Sequence, residues 1–350
     1  MKKIELIDSN FEVKTKLDEK DIRFYGIRQS PFKIYGVFYE SGKFRRLPEA
    51  VAKSVNDGVY TLHAHTAGGR VRFKTDSPYI AIHAVMSGIC KMPHFAFTGS
   101  AGFDLYIRKD AERYAATFIP PFDIQDGYES IVRFDSAEMC EVTVNFPLYS
   151  EVCELYIGLK EGSFLGEAED YKTQKPIVFY GSSITQGGCA SRPGTSYESL
   201  VSRRLDADYI NLGFSGSARG EDEIAEYISA LDMSVFVYDY DHNAPTAEHL
   251  KNTHEKMFRK IRQAHPELPI VMLSRPKYFL SEEEEKRLGI IKETYENAVA
   301  DGDKNVYLID GRDLMKLAGD EGLVDGSHPN DLGFMSMAET LCEVLKEILQ

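Results

Sequence analysis

The stretch "VFYGSSITQGG", Val178–Gly188, runs from an apolar segment straight into two adjacent serines, a threonine and three glycines. An apolar run that stops on small polar residues reads as a buried strand entering a tight turn. If that strand belongs to a parallel α/β sheet, the turn lies at its carboxyl end, where such sheets gather their ligands and reacting groups. Ser182 or Ser183 would then be placed for attack, although a turn serine fits the same pattern. The choice rests on what the rest of the chain brings to it.

Downstream, apolar runs at Tyr209–Phe214, Val235–Tyr240, Ile270–Leu273 and Val306–Ile309 alternate with helical patterns. "TAEHLKNTHEKMFRKIRQAH" (246–265) opens on Thr246 as an N-cap, and "SEEEEKRLGIIKETYENAVA" (281–300) opens on Ser281 with acids at the positive end of the helix dipole. "DLGFMSMAETLCEVLKEIL" (331–349) supplies the last helix. Five strands alternating with helices predict an α/β, doubly wound parallel sheet.

Upstream, Phe32 to Leu159 carries short period-two runs rich in Val, Ile, Tyr and Phe, with no helix expected. Residues 58–87, "GVYTLHAHTAGGRVRFKTDSPYIAIHAVMS", read as three strands, and further strands fall in 102–110, 113–121, 130–137 and 140–159. That spacing predicts an all-β sandwich or jelly roll. Lys160–Pro176 is polar and glycine-punctuated and reads as a linker, so the expected domains are 1–165 and 166–350.

The chain has 350 residues, 43% of them hydrophobic, and a formal charge of -14, which disfavours nucleic acid or an anionic membrane as partner. Its N-terminus, "MKKIELIDSNFEVKTKLDEKD", lacks the apolar core of a secretory signal, and no run of about 18 apolar residues occurs. The five cysteines include no C-x-x-C, which fits free thiols in a reducing compartment. The expected location is the cytoplasm.

A serine hydroxyl needs a base beside it and a group to orient that base. Of nine histidines, His249, His254 and His265 fall on the long polar helix and read as solvated. His63 and His65 form an H-x-H on a presumed strand, without a third ligand at a metal-binding spacing; no metal is expected. His83 and His94 read as ordinary strand and loop residues. His328 differs, because "LVDGSHPNDLG" (323–333) sets it in a loop before the last helix, with Asp325 three residues earlier. Two other strand ends carry oxyanion donors: Gly216 in "NLGFSGSARGE" and Asn243 in "YDYDHNAP".

Taken in order, "GSSIT", "FSGS", "DHNA" and "DGSHP" resemble the four blocks of the SGNH (GDSL-type) hydrolase superfamily, over roughly Pro176 to Gln350. The resemblance implies a flavodoxin-like five-stranded sheet, Ser183 as nucleophile, His328 as base and Asp325 as its orienter. It implies an oxyanion hole from Ser183, Gly216 and Asn243, and no cofactor. Two departures stand out. G-D-S reads G-S-S, with Ser182 replacing the aspartate, and the usual G-x-N-D reads Asp241-His242-Asn243-Ala244. The order of a β-domain followed by the hydrolase unit is similar to acetyl-xylan-esterase-type carbohydrate esterases and related acyltransferases. A serine esterase acting on short acyl groups, chiefly acetyl on a sugar or oligosaccharide, is therefore expected. Asp241, His242 and Tyr149 are candidate substrate contacts. The alternatives are an acyltransferase or general short-chain esterase, and more remotely a non-catalytic carbohydrate-binding protein. A homo-oligomer is compatible with the sequence.

Overall fold

The structure, a computed structural model, describes residues 17–349; the part of the N-terminal stretch read above that covers residues 1–16 lies outside them. Thr173–Gly181, Ala207–Gly213, Val235–Asp239, Ile270–Leu273 and Val306–Ile309 form one five-stranded sheet. All neighbours are parallel, and the order along the sheet is second, first, third, fourth, fifth. This is the flavodoxin-like doubly wound order.

Its strands are apolar on both faces because both are covered. Val178, Tyr180, Phe236, Tyr238, Ile270 and Met272 enter one core, while Ile177, Phe179, Val235, Val237, Val271 and Leu273 enter the other. Tyr197–Leu205 and Asp331–Ile348 pack on the second side; Asp222–Ser229, Ala247–Ala264 and Glu282–Ala300 pack on the first. The expected caps are present: Thr246 accepts from His249 N, and Ser281 and Glu284 form a reciprocal capping box.

The preceding region is antiparallel and β-rich. Ile22–Gly26, Glu151–Lys160, Tyr79–Ser87 and Gly127–Arg133 form a four-stranded sheet. A second sheet runs Leu165–Gly166, Arg70–Thr75, Cys140–Asn145, Phe103–Arg108, Glu112–Phe118, with Lys33–Tyr35 added beside Arg70–Thr75. Ile80, Ile82, Leu155 and Ile157 from the first meet Val71, Phe73, Leu105, Val142 and Val144 from the second in one core, which makes the pair a sandwich.

Three expectations are corrected here. Gly58–His65 is not a strand. Glu49–Val55 and Asp57–Leu62 are short helices, the second capped by Asn56, whose side chain accepts from Val59 N. Ala52 and Val59 are buried in the core of the parallel sheet, so tertiary packing overrode the local β-preference. His63 and His65 consequently do not share a strand face. His63 pairs with Arg45, whereas His65 lies against Gln186. His254 is buried, not solvated: its Nδ1 meets Thr294 Oγ1 at 2.9 Å and its ring stacks on Tyr238 at 4.7 Å. Burial lowers its pKa to about 3 and keeps it neutral. It falls four residues after Leu250 and three before Met257, on the apolar face of its helix.

Lys160–Pro176 is also more ordered than a linker. Leu165–Gly166 pairs with Thr75 and Lys74, and the buried Tyr171 accepts a hydrogen bond from Arg70 Nε at 2.9 Å. Arg70 further bonds Gly68 O at 2.7 Å and pairs with Asp208 of the parallel-sheet unit. Arg46 reaches the same unit through Asn211 O at 3.1 Å and Gly213 O at 2.7 Å. The polar face of the sandwich is thus a buried contact with the α/β unit.

Candidate active site

The loop after the first parallel strand presents one serine and buries the other. Ser182 is fully buried; its N–H faces Asp239 O at 3.2 Å and its Oγ accepts from Ile184 N at 3.1 Å. This hydroxyl is consumed in holding the turn. Ser183 is partly exposed, and its Oγ lies 2.9 Å from His328 Nε2. Gly181 fits the entry to this turn because a Cβ there would overlap the Asp239 and Thr185 side chains.

His328 enters from the far end of the sheet. Gly326, at φ +78°, lets the chain double back, so the Asp325 carboxylate meets the imidazole three residues later. Asp325 Oδ2 accepts from His328 Nδ1 at 2.8 Å. Its Oδ1 accepts from His328 N at 2.8 Å and Ser327 N at 3.0 Å. Partial burial alone would raise the Asp325 pKa, but these bonds and the imidazole outweigh it and hold the carboxyl at about 2. Asn330 then caps the last helix through Leu332 N and Gly333 N, and Asp331 ties that helix to Ser191 and Thr195.

Gly216 and Asn243 belong to the next two strand ends. Asn243 Nδ2 donates to Phe214 O at 3.0 Å, and Phe214 N donates to Gly181 O at 2.9 Å, which ties all three loops together. Gly216 takes φ +66°, the left-handed region that favours glycine. Among the described residues, no hydrogen bond engages the N–H of Ser183 or of Gly216. Both remain available as donors, as does the second hydrogen of the Asn243 amide.

The candidate substrate contacts take different positions. Tyr149 is buried and donates to Ser183 O at 3.3 Å. Asp241 and His242 line a polar cavity of about 270 Å³ with Arg275, Ser281, Glu283, Glu284 and Arg287. That cavity adjoins the His328 loop, since Arg275 Nη2 donates to Ser327 Oγ at 2.9 Å. Asp241 Oδ1 and His242 Nε2 lie 3.3 Å from each other, and among the described residues neither of these buried atoms nor the buried Arg275 Nε has a hydrogen bond. Burial lifts the Asp241 pKa to about 6, and burial followed by the nearby Arg275 charge pushes His242 well down.

Sequence reasoning passed over three neighbours. Arg275 stands just beyond the fourth strand, a position that the strand-end rule could have flagged. His94 and Cys189 carried no local signal. The His94 ring lies 6.1 Å from that of His328, and its Nε2 is 4.0 Å from Asp325 Oδ2. The segment around His94 also lines an apolar cavity of about 350 Å³, formed by Lys91, Met92, Pro93, Phe95, Phe97 and Phe122. A further cavity of about 370 Å³, beside Arg262, Glu267 and Asn305, opens at the amino ends of the fourth and fifth strands, away from these groups.

A doubly wound sheet with a serine, a histidine and an aspartate linked in series at its strand ends has the build of a serine hydrolase. The comparisons agree. Residues 174–346 match the GDSL-like lipase/acylhydrolase family, and residues 22–165 match the N-terminal region of SGNH-hydrolase-type esterases. The chain belongs to the SGNH (GDSL-type) hydrolases and is a serine esterase. A candidate GDSL-like lipase from Bacteroides ovatus is 29% identical over 94% of this chain and 98% of its own, with a TM-score of 0.84. The salicylyl-acyltransferase SsfX3 from a tetracycline biosynthetic pathway shares the fold at 20% identity, with the same coverage and a TM-score of 0.75. An acetyl xylan esterase, Est2A from Butyrivibrio proteoclasticus, also shares it at 14% identity, covering 94% of this chain and 98% of its own, with a TM-score of 0.59. No curated protein matches. Among the described residues, no helix is long and apolar enough to cross a membrane.

Proposed function

We propose that the protein cleaves short acyl esters, acetyl foremost, from a carbohydrate through an acyl-enzyme on Ser183. The observation that carries this reading is the unbroken series Ser183 Oγ, His328, Asp325, with 2.9 and 2.8 Å links. His328 Nε2 takes the Ser183 proton as Oγ bonds the acyl carbon, and Asp325 stabilises the imidazolium. The N–H groups of Ser183 and Gly216 and the Asn243 amide receive the oxyanion; each such donor is worth about 3–4 kcal/mol of barrier. The imidazolium returns its proton to the leaving alkoxide, and water repeats the cycle on the acyl-enzyme.

The sugar assignment is supported by the polar cavity beside the base. Its lining of Asp241, His242, Arg275, Ser281 and Arg287 supplies both donors and acceptors, which suits a polyol better than an alkyl chain. The screen that tests it measures acetate release from acetylated oligosaccharides beside p-nitrophenyl acetate, in wild type and Arg275→Met. We expect the variant to lose about tenfold more kcat/KM on the sugar than on the small ester. Equal losses on both would remove the sugar from that cavity.

A second reading, acyl transfer, is favoured by the apolar cavity lined by the residues that flank His94. It would shelter a larger, flatter acyl group and keep water from the acyl-enzyme. Product analysis with an added alcohol acceptor separates the two: hydrolysis gives free acid throughout, whereas transfer gives a new ester at the expense of acid.

A further inference from the structure

Two side chains that ester cleavage does not use, His94 and Cys189, stand beside His328. His94, Cys189 and His328 come from three distant parts of the chain, yet one ligand atom of each lies within 4.8 Å of the other two. We propose that these residues form a binding site for a thiophilic divalent cation, zinc above all, and that its occupancy shuts off ester cleavage. The shut-off half of the proposal rests on His328 being the base.

The donor set selects the ion. One thiolate and two imidazoles suit zinc and exclude magnesium and calcium, which require oxygen ligands. Zinc bonds of about 2.0–2.3 Å require the donors to close in by roughly 1 Å from their present spacing. His94, an exposed side chain on the loop after Tyr79–Ser87, is the donor that would make that move.

Cys189 is held in place by its surroundings. It sits at φ +72°, and its neighbours are fixed by Gly188 N to Ser183 O at 2.7 Å and Ser191 N to Asp331 Oδ1 at 2.9 Å. Its thiol is buried and free of disulfide, and among the described residues no hydrogen bond engages its sulfur.

His328 already has the arrangement of a metal-ligating histidine. Its Nδ1 is held by a carboxylate, which leaves Nε2 for the ion. The same Nε2 must accept the Ser183 proton, so a metal there removes the base. Binding forms one bond from zinc to sulfur and two to imidazole nitrogen; the Cys189 proton leaves to solvent, and no redox change occurs.

Two measurements on the full chain test this. In the first, p-nitrophenyl acetate turnover is followed against buffered free Zn²⁺, then after EDTA. We expect reversible loss of activity, with an inhibition constant raised about tenfold or more in both His94→Ala and Cys189→Ser, whose metal-free turnover stays near wild type. In the second, Co²⁺ is added to Ser183→Ala, which needs no turnover. A thiolate-to-cobalt absorption band should appear and be absent when Cys189→Ser is combined with it. Inhibition by Zn²⁺ that neither variant weakens, or a Co²⁺ spectrum without the thiolate band, overturns the site. A cobalt band together with an active Ser183→Ala keeps the metal site and removes instead the catalytic assignment. If Cys189→Ser does not fold, His94→Ala alone carries the inhibition test.

Discussion

Replacing Asp325 with asparagine should remove catalysis while sparing the fold, and the hydrogen bonds say why. Asp325 Oδ1 accepts from two backbone N–H groups, His328 N at 2.8 Å and Ser327 N at 3.0 Å. In Asp325→Asn the amide oxygen must face those two donors, since the opposite flip would set an NH₂ against them. The NH₂ is therefore directed at His328 Nδ1, which can then only accept. The ring proton moves to Nε2 and points at Ser183 Oγ, 2.9 Å away, so the imidazole can no longer take the serine proton. The same tautomer error in a serine protease triad lowers kcat by about 10⁴, and we expect a fall of that order in kcat/KM, about 5.5 kcal/mol of barrier. Because two of three bonds survive, stability should change by only about 1 kcal/mol. The assay is p-nitrophenyl acetate kinetics beside urea unfolding. A variant within about tenfold of wild-type activity and unchanged in stability would refute the orienting role of Asp325.

Other substitutions probe other links. Ser183→Ala should cost about four decades of kcat or more, whereas Ser182→Ala, which loses only its bond to Ile184 N, should cost less than about tenfold; the reverse outcome in an acyl-enzyme burst assay would reassign the nucleophile. Arg46→Ala should destabilise by about 3–5 kcal/mol in urea unfolding, because it strips buried carbonyls of Leu62, His65, Asn211 and Gly213 of their donor. Asp239, buried with one unpartnered oxygen, has its pKa raised by burial to about 7, so the folded state binds a proton that the unfolded state has released. Stability contributed at this position therefore declines as pH rises from about 4 to 7. Asp239→Asn should flatten that slope in unfolding midpoints, and an unchanged slope would place the titration elsewhere.

The parallel sheet was legible because its strands are unbroken apolar runs ending in small residues, between helices with written caps such as Thr246 and Ser281. Ser183, His328 and Asp325 were legible because each stands at a strand end or in the loop before the last helix, where the fold itself makes them converge. Period-two alternation, however, reports only which side chains share a face and not what covers that face. Arg70, Arg72, Asp104 and Asn145 are polar members of such alternating runs, and all are buried against the α/β unit or within the same sheet's network. The short helices at Glu49–Leu62 were hidden in the same way. Val59 and Tyr60 favour strands locally, and the packing that decides otherwise comes from residues more than 100 positions away. His94 and Cys189 had no pattern at all: Cys189 reaches His328 only through the course of the loop after the first parallel strand, and His94 only because the sandwich docks onto the sheet.

The replacement of aspartate by Ser182 illustrates how far a motif can be read one residue at a time. In the sequence it looks like a carboxylate lost beside Ser183. In the fold, a carboxylate is present there, supplied by the end of the third parallel strand. Asp239 Oδ1 accepts from Ser182 N at 3.3 Å and from the Thr185 hydroxyl, so it braces both sides of Ser183. Gly181 is the residue that admits it, for any side chain at that position would occupy the space of the carboxylate. Ser182, small and buried, then satisfies Ile184 N with its own hydroxyl. The serine at 182, the glycine at 181 and the aspartate at 239 thus form one packing solution spread over two strands, and a substitution at any one of them should be felt first in the placement of Ser183.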